Sequence, residues 1–278
     1  MLPRALPRGS KNRSSYTISM NQYRTLLVES PINGPVICQF NRPETRNALS
    51  QEMVNEIRDL LNTLATREEI PTIIFTGSDK SFISGADISE LLERRKEDAL
   101  KKINATLFDE IEAFPSPTIA AVRGWALGGG CELAMACDIR VVGNSARIGQ
   151  PEVSLGIIPA AGGCFRLPKL IGIGKAREMI YTGRLVDAAE AADLGWANRL
   201  VDDAEVISTS TKIAEQIMAN SNIAVSHAKS LISEGLLLDN QAAMDREAQS
   251  QAVLFEHPDK MQRMTAFLER KRGNKTLK

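Results

Sequence analysis

The chain has 278 residues, of which 43% are hydrophobic, so it can bury a core as one large domain or as one domain with an appendage. Basic and acidic residues number 34 each, so no overall field attracts nucleic acid, and any anionic ligand must be held by a local arrangement. The longest apolar stretches, such as residues 124–136, contain glycines and a glutamate and are shorter than the roughly 18 residues that indicate a membrane span. Neither nucleic acid nor a membrane is an expected partner.

Cysteine and histidine are scarce in this chain. The four cysteines form no Cys-x-x-Cys pair and are too few for a disulfide framework at this length, which favours a reducing compartment. His227 and His257 lie in polar, helix-like stretches, where a surface role is expected. Two imidazoles provide little for a histidine-rich metal site or a Ser-His-Asp triad, so no metal site is predicted.

The N-terminal segment carries only basic charges before its first acidic residue, Glu29. This pattern is typical of a mitochondrial leader. Pro3 and Pro7 would break the amphipathic helix that such a leader needs, and Met20 stands directly before a strand-like segment. Three interpretations of residues 1–20 therefore stay open, namely a leader, a disordered extension and a misassigned start. The predicted location is the cytoplasm, with the mitochondrial matrix as the alternative.

The first elements in chain order form a hairpin and then a βαβ unit. Strands are predicted at residues 25–28 and 35–40, with Asn33-Gly34 as the turn between them. Apolar residues at helical spacing then run from Met53 to Leu64, and a buried strand is predicted at residues 72–76.

The alternation of strand and helix continues before the chain becomes helical. Residues 91–114 resemble a helix, strands follow at 118–122 and 139–142, and Gly128-Gly129-Gly130 opens a helix between them. This order predicts an α/β fold with a mostly parallel sheet and helices outside it. Later helices are predicted at residues 176–182, 188–194, 205–220, 222–238 and 241–255. The last third is therefore predicted to be a helical appendage.

Two carboxylates stand out as candidates for acid and base chemistry. Glu132 follows the three glycines in the first turn of a helix that is otherwise apolar, where free backbone N–H groups favour an oxyanion or a phosphate. Glu152 lies twenty residues later in a loop rich in glycine and proline. Two carboxylates in partly apolar surroundings can divide the two roles if their pKa values are pushed apart.

Two further segments have a simpler structural explanation when they are considered alone. Residues 81–88 follow a buried strand and contain small residues that let a backbone N–H reach a ligand, but Asp87 as a helix cap explains them as well. The charged tail, residues 267–278, is typical of a solvated surface.

Together the glycine turn, the Glu152 loop and residues 81–88 resemble the crotonase family of enoyl-CoA hydratases and isomerases, in order along residues 23–272. The resemblance is greatest to the short-chain hydratases. It implies a spiral of βαβ units followed by a helical region that packs in trimers, often paired into hexamers. It also implies that the N–H groups of Ala86 and Gly129 form an oxyanion hole, with Glu132 and Glu152 as the catalytic pair.

The resemblance further implies a binding site for coenzyme A, which is part of the substrate, so no separate cofactor is expected. The residues implied to contact the coenzyme are Arg46, Ser84, Ala86, Ile88, Phe267, Arg270 and Lys271. Backbone N–H groups near Ala160, where relatives commonly have Gly, are implied to orient the attacking water.

The predicted function is reversible hydration of an enoyl-CoA in fatty-acid or branched-chain acyl-CoA breakdown. Alternatives are an isomerase of the same family, a hydratase of a branched or carboxylated acyl-CoA, and a non-catalytic binding protein on this fold. The predicted organisation is an extension at residues 1–20, a spiral core at 21–200, and a helical region at 201–278 for oligomerisation and coenzyme contact.

Overall fold

The computed structural model describes residues 17–19 and 23–273. The leader, extension and start-site interpretations concern residues 1–20, and all of these except 17–19 lie outside the described residues. The described strands are β1 (Thr17–Ser19), β2 (Leu26–Pro31), β3 (Val36–Phe40), β4 (Ile73–Thr76), β5 (Ser81–Ile83), β6 (Thr118–Val122), β7 (Trp125–Leu127), β8 (Ile139–Gly143), β9 (Arg147–Gly149), β10 (Leu185–Asp187) and β11 (Arg199–Val201).

The larger of two sheets has seven strands in the order β1-β2-β3-β4-β6-β8-β11. The predicted hairpin is confirmed, because β2 and β3 pair antiparallel, whereas β3, β4, β6, β8 and β11 run parallel. Every residue of β4 and β6 is buried. Burial on both faces explains why these strands are continuous apolar runs rather than alternating ones. The predicted parallel sheet is therefore confirmed.

The smaller sheet was not predicted. It has four strands in the order β10-β9-β7-β5, and each strand has only three residues. Strands β5, β7 and β9 each follow a strand of the larger sheet after a short turn, and they pair parallel to one another. At one of these turns Gly124 has a φ of +61°, and a Cβ there would overlap the Lys80 carbonyl. Three residues are too few for a strand period to be visible in the sequence.

The helices surround and extend the two sheets. Their bounds are α1 (Gln51–Ala65), α2 (Ile88–Glu93), α3 (Lys96–Leu100), α4 (Ile103–Glu112), α5 (Gly129–Ala136), α6 (Gly163–Ile171), α7 (Ile173–Thr182), α8 (Ala188–Asp193), α9 (Val206–Met218), α10 (Asn222–Gly235), α11 (Asn240–Glu256) and α12 (Pro258–Gly273). The predicted helices match α1, α5 and α7–α11 to within a few residues, whereas α6 and α12 were not predicted.

The predicted helical character of residues 91–114 is confirmed, but three helices, α2, α3 and α4, occupy this region instead of one. The backbone is extended at Arg94 and left-handed at Lys102, where φ is +52°. Between these breaks five of the seven residues are charged, so the segment offers no apolar stripe to hold a continuous helix against the core. The Asp98 side chain also accepts a hydrogen bond from Arg95 N at 3.0 Å, which caps the N-terminus of α3 as a separate helix.

The core has two parts, one on each face of the larger sheet. The main cluster includes the apolar faces of α1, α4 and α5, with Phe40 stacked on Phe75 at 6.1 Å between ring centroids. A smaller cluster on the other face packs α9 against β4, β6 and β8. Helix α5 is thus fixed between the two sheets, with all eight of its residues buried. No helix within residues 17–19 and 23–273 is long and apolar enough to cross a membrane.

Candidate active site

The glycine turn between β7 and α5 lies directly beside Glu152. Gly128 has a φ of +49°, and a Cβ on it would come within 2.7 Å of Glu152 Oε1. Its N–H donates to Gly149 O at 2.9 Å, which ties the turn to β9. Only glycine satisfies both the left-handed backbone and the contact with the carboxylate. The turn therefore places the start of α5 next to one of the two predicted catalytic side chains.

The N–H groups predicted to form an oxyanion hole are adjacent. A Cβ placed on Gly129 would be 3.8 Å from Ala86 N. Leu49 N donates to Gly85 O at 2.8 Å, and Asp87 N donates to Leu49 O at 3.0 Å, so the intervening Ala86 N–H points away from Leu49. Gly129 is the first residue of α5, where backbone N–H groups have no partner within the helix. Two donors, one of them at the N-terminus of α5, suit a developing negative charge.

Glu132 is held by a loop thirty residues further along the chain. Its Oε1 accepts hydrogen bonds from Ala161 N at 2.8 Å and Gly163 N at 2.9 Å, and the residue is only 3% exposed. The sequence predicted that amides near Ala160 orient a water, whereas these two amides bind Glu132 itself. Burial raises the pKa of Glu132, and the two amides and the Arg166 charge oppose that rise.

Glu152 lies on a short 3-10 turn, Pro151–Leu155, and is half-buried. Burial raises its pKa to about 7, and the nearby charge of Glu132 adds to the rise. The two amide donors and the Arg166 guanidinium favour the ionised form of Glu132, whereas the charge of Glu132 disfavours the ionised form of Glu152. The two carboxylates therefore lie in different environments, as a division into base and acid requires.

Gln150 is a residue of this site that the sequence reasoning missed. It is fully buried, and with its amide NH₂ turned to Glu152 it donates to Oε1 and Oε2, each at 3.1 Å. A Cβ on Gly163 would be 3.0 Å from Gln150 Nε2, so Gln150 also packs against the loop that holds Glu132. The sequence did offer a clue to this contact, because Gln150 directly follows β9 and stands two residues before Glu152.

Four of the residues predicted to contact coenzyme A lie in two adjacent segments. Ser84 N donates to Arg46 O at 3.3 Å, and Ser84 Oγ donates to Thr45 O at 3.3 Å. Arg46 has a φ of +54°, which turns the chain sharply there. Ala86 follows Ser84, and Ile88 is exposed at the start of α2. The segments around residues 46 and 84–88 therefore lie side by side next to the predicted oxyanion hole.

The other three predicted coenzyme contacts lie on the last helix. Phe267 is 58% exposed on α12, Lys271 is exposed, and Arg270 Nε donates to Ala266 O at 3.3 Å within the same helix. Helix α12 contacts α11, and Arg263 donates to Ala219 O at the end of α9. Within residues 23–273, no hydrogen bond or ion pair joins Phe267, Arg270 or Lys271 to the Arg46 loop. In the described part of the chain, no group of three or more His, Cys, Asp or Glu side chains could hold a metal ion.

The sequence and the fold of this chain match a known enzyme family. The sequence pattern described as enoyl-CoA hydratase/isomerase matches residues 33–275. The chain is 40% identical to crotonyl-CoA hydratase of Syntrophomonas wolfei over 258 residues, which is 91% of this chain and 98% of that protein. It is 38% identical to short-chain-enoyl-CoA hydratase of Clostridium acetobutylicum over 85% of this chain and 92% of that one.

A solved structure agrees with these sequence relatives. The crystal structure of an enoyl-CoA hydratase from Bacillus anthracis superposes with a TM-score of 0.85 at 35% identity, covering 89% of this chain and 97% of that one. The chain belongs to the enoyl-CoA hydratase/isomerase family. The predicted family and the predicted crotonase-like fold are confirmed.

Proposed function

We propose that the chain catalyses the reversible addition of water to a trans-2-enoyl-CoA, giving a 3-hydroxyacyl-CoA. The single observation that carries this proposal is the arrangement of two carboxylates, the buried Glu132 and the half-buried Glu152, beside the adjacent backbone N–H groups of Ala86 and Gly129. The names of the relatives, crotonyl-CoA hydratase and short-chain-enoyl-CoA hydratase, support a short acyl group.

The proposed reaction begins at the thioester carbonyl. Its oxygen accepts hydrogen bonds from Ala86 N and Gly129 N, which draws electron density from the double bond and makes C3 electrophilic. As water adds at C3, an enolate develops and its negative charge falls on that oxygen. Preorganised donors of this kind contribute roughly 2.7–4 kcal/mol each to the stability of the transition state.

The two glutamates move the protons. One oxygen of Glu132 is already occupied by two amides, so its second oxygen, Oε2, accepts the proton of the attacking water. Glu152, protonated below about pH 7, gives its proton to C2 of the enolate. Water therefore adds as OH at C3 and H at C2. The pair is reset when Glu132 releases its proton and Glu152 takes one up.

The acyl group meets apolar side chains near the two carboxylates. Leu155, Ile157 and Ile158 follow Glu152 in its loop and are exposed, and Phe165 is exposed near the start of α6. Exposed apolar side chains around a catalytic pair suit a hydrocarbon chain. They provide no charged partner for a carboxylated acyl group.

We assign the coenzyme to the predicted residues Arg46, Ser84, Ala86 and Ile88, with Phe267, Arg270 and Lys271 reaching its nucleotide from the last helix. Residues 201–278 would then serve both oligomerisation and coenzyme contact, in a homotrimer or homohexamer. Support comes from the many large apolar side chains that α10–α12 expose, since such a surface indicates a protein interface. Coenzyme A enters as part of the substrate, and no further cofactor is needed. The bacterial relatives favour the cytoplasm, and a leader within residues 1–20 would favour the mitochondrial matrix.

The direct test is loss of absorbance at the enoyl thioester band when crotonyl-CoA is mixed with the protein. Hydration removes the conjugated double bond and the band disappears, whereas an isomerase that moves the double bond of a 3-enoyl-CoA would make the band appear. Both carboxylates are present, which favours hydration. No turnover of any enoyl-CoA in a panel of graded chain length and branching would refute the proposal.

A further inference from the structure

Arg166, in the first turn of α6, is a buried cation that takes no part in the proposed proton transfers. Its side chain is 6% exposed. It donates to two carboxylates of α4: Nη2 lies 2.6 Å from Asp109 Oδ1 and 2.6 Å from Glu112 Oε2, and Nε lies 2.9 Å from Glu112 Oε2. The two carboxylates are 69% and 43% exposed, so the arginine is the buried member of the cluster.

The third nitrogen of the guanidinium points at the loop that holds Glu132. Arg166 Nη1 donates to Ala161 O at 3.1 Å, and the N–H of the same residue, Ala161, donates to Glu132 Oε1. Gly162, with a φ of +118°, wraps over the guanidinium so closely that a Cβ there would overlap Nη1. The neighbouring Phe165 ring covers the cation at 4.8 Å. A continuous chain of contacts thus runs from α4 through Arg166 to Glu132.

Geometry and charge act in the same direction at Glu132. The two amides that bind Oε1 belong to Ala161 and Gly163, on either side of the Gly162 turn that Arg166 fills. The Arg166 charge also stabilises the ionised form of Glu132 and so lowers its pKa against the effect of burial. The other titratable groups that face Glu132 are Glu152 and the thiols of Cys131 and Cys164. None of these supplies a positive charge.

We propose that Arg166 is a positioning residue for Glu132. Anchored by Asp109 and Glu112, it fixes the Ala161–Gly163 loop so that both amides hold one carboxylate oxygen and leave the other free to act as the base. This inference rests on the proposed hydratase function, because the base is needed only if water is the substrate. It adds α4 to the machinery of the site, although α4 makes no hydrogen bond to Glu132 or Glu152 within residues 23–273.

The test compares Arg166→Gln, Arg166→Lys and Glu112→Gln with Arg177→Gln, an exposed arginine of α7 that serves as the matched control. In Arg166→Gln we expect kcat for crotonyl-CoA to fall roughly 10- to 100-fold, the usual result of misplacing a catalytic group by about 1 Å. KM should change little, because Arg166 does not touch the substrate. The acidic limb of the kcat/KM profile, which reports the base, should move to higher pH because a stabilising positive charge is gone.

The companion variants separate charge from geometry. Arg166→Lys keeps the positive charge but loses the planar guanidinium that binds several partners at once. The acidic limb of its kcat/KM profile should therefore stay near that of the unmodified enzyme, while kcat falls. Glu112→Gln keeps Arg166 and loosens its anchor, so it should lose less activity than Arg166→Gln. Melting temperatures identify any variant that has simply become unstable.

A readout without substrate distinguishes the two proposals. Hydrogen exchange at the Ala161 and Gly163 amides should be faster in Arg166→Gln and Glu112→Gln than in the unmodified protein and in Arg177→Gln. If the unmodified protein hydrates no enoyl-CoA, the hydratase proposal fails, and the exchange rates still decide whether Arg166 holds the loop. Unchanged exchange at both amides, or a folded Arg166→Gln with unchanged kcat and acidic limb, would overturn the inference.

Discussion

Substitution of Gly129 tests whether catalysis depends on the space between two backbone N–H groups. The backbone of Gly129 does not have a positive φ, so it can accept a side chain without strain. A Cβ there would meet Leu49 Cδ2 at 3.7 Å and Ala86 N at 3.8 Å. These are normal contact distances, so Gly129→Ala should fold. Replacing Gly by Ala where the backbone suits Ala stabilises a protein by about 0.4–1 kcal/mol, which should hold or raise the melting temperature.

The new side chain nevertheless enters the space where the thioester oxygen must reach both donors. Loss of one donor of an oxyanion hole costs about 2.7–4 kcal/mol, or roughly 10²- to 10³-fold in kcat. We expect Gly129→Val, whose methyl groups extend further towards Ala86 N, to lose at least this much. Because the lost interaction forms only in the transition state, kcat and kcat/KM should fall together.

The assay follows hydration of crotonyl-CoA in Gly129→Ala and Gly129→Val beside thermal unfolding of each variant. Gly130→Ala is the matched control, because a Cβ on Gly130 overlaps the Ile83 carbonyl and lies 2.8 Å from Ile83 Cβ. We expect this variant to lose melting temperature first, whereas the Gly129 variants lose turnover first. A Gly129→Val enzyme with near-normal kcat would mean that the oxyanion is bound elsewhere.

Three further predictions concern the catalytic pair and the last helix. Changing Glu132 or Glu152 to Gln should lower hydration at least ~100-fold with coenzyme A binding nearly unchanged, as measured by steady-state kinetics and calorimetry. Because the raised pKa keeps Glu152 protonated up to about 7, kcat/KM should fall as pH rises through neutrality, and Glu152→Gln should lose this alkaline limb. Truncation after Ala266 should raise KM for crotonyl-CoA, with a smaller effect at high salt, because charge-assisted phosphate contacts are strong but screened when exposed.

Each of these predictions can be contradicted by a simple result. A glutamine variant with near-full activity would remove that glutamate from the mechanism, and a profile that stays flat through neutral pH would refute the assignment of Glu152 as the acid. A thioester that lacks the nucleotide serves as the control for the truncation. If the shortened protein loses activity equally on both substrates, the last helix supports folding or assembly and not the nucleotide.

The sequence by itself determined the elements that repeat a simple pattern and the segments that identify the family. Helix α1 was predictable from its apolar spacing, and β4 and β6 from their unbroken apolar runs, because a side-chain period reports which faces of an element are buried. The three motif segments were sufficient to predict the family and the fold. Their glycines and carboxylates can be recognised from their order along the chain, without knowledge of how the elements pack.

The tertiary structure alone decided which distant residues meet. The sequence indicated two carboxylates, but not that Glu132 is held by amides about thirty residues away, that Gln150 lies against Glu152, or that Arg166 connects the site to α4. It also did not reveal the second sheet, whose three-residue strands are stabilised by their neighbours and not by a local pattern. Such contacts depend on how the elements pack, because hydrogen bonds between remote segments leave no periodic trace in the chain.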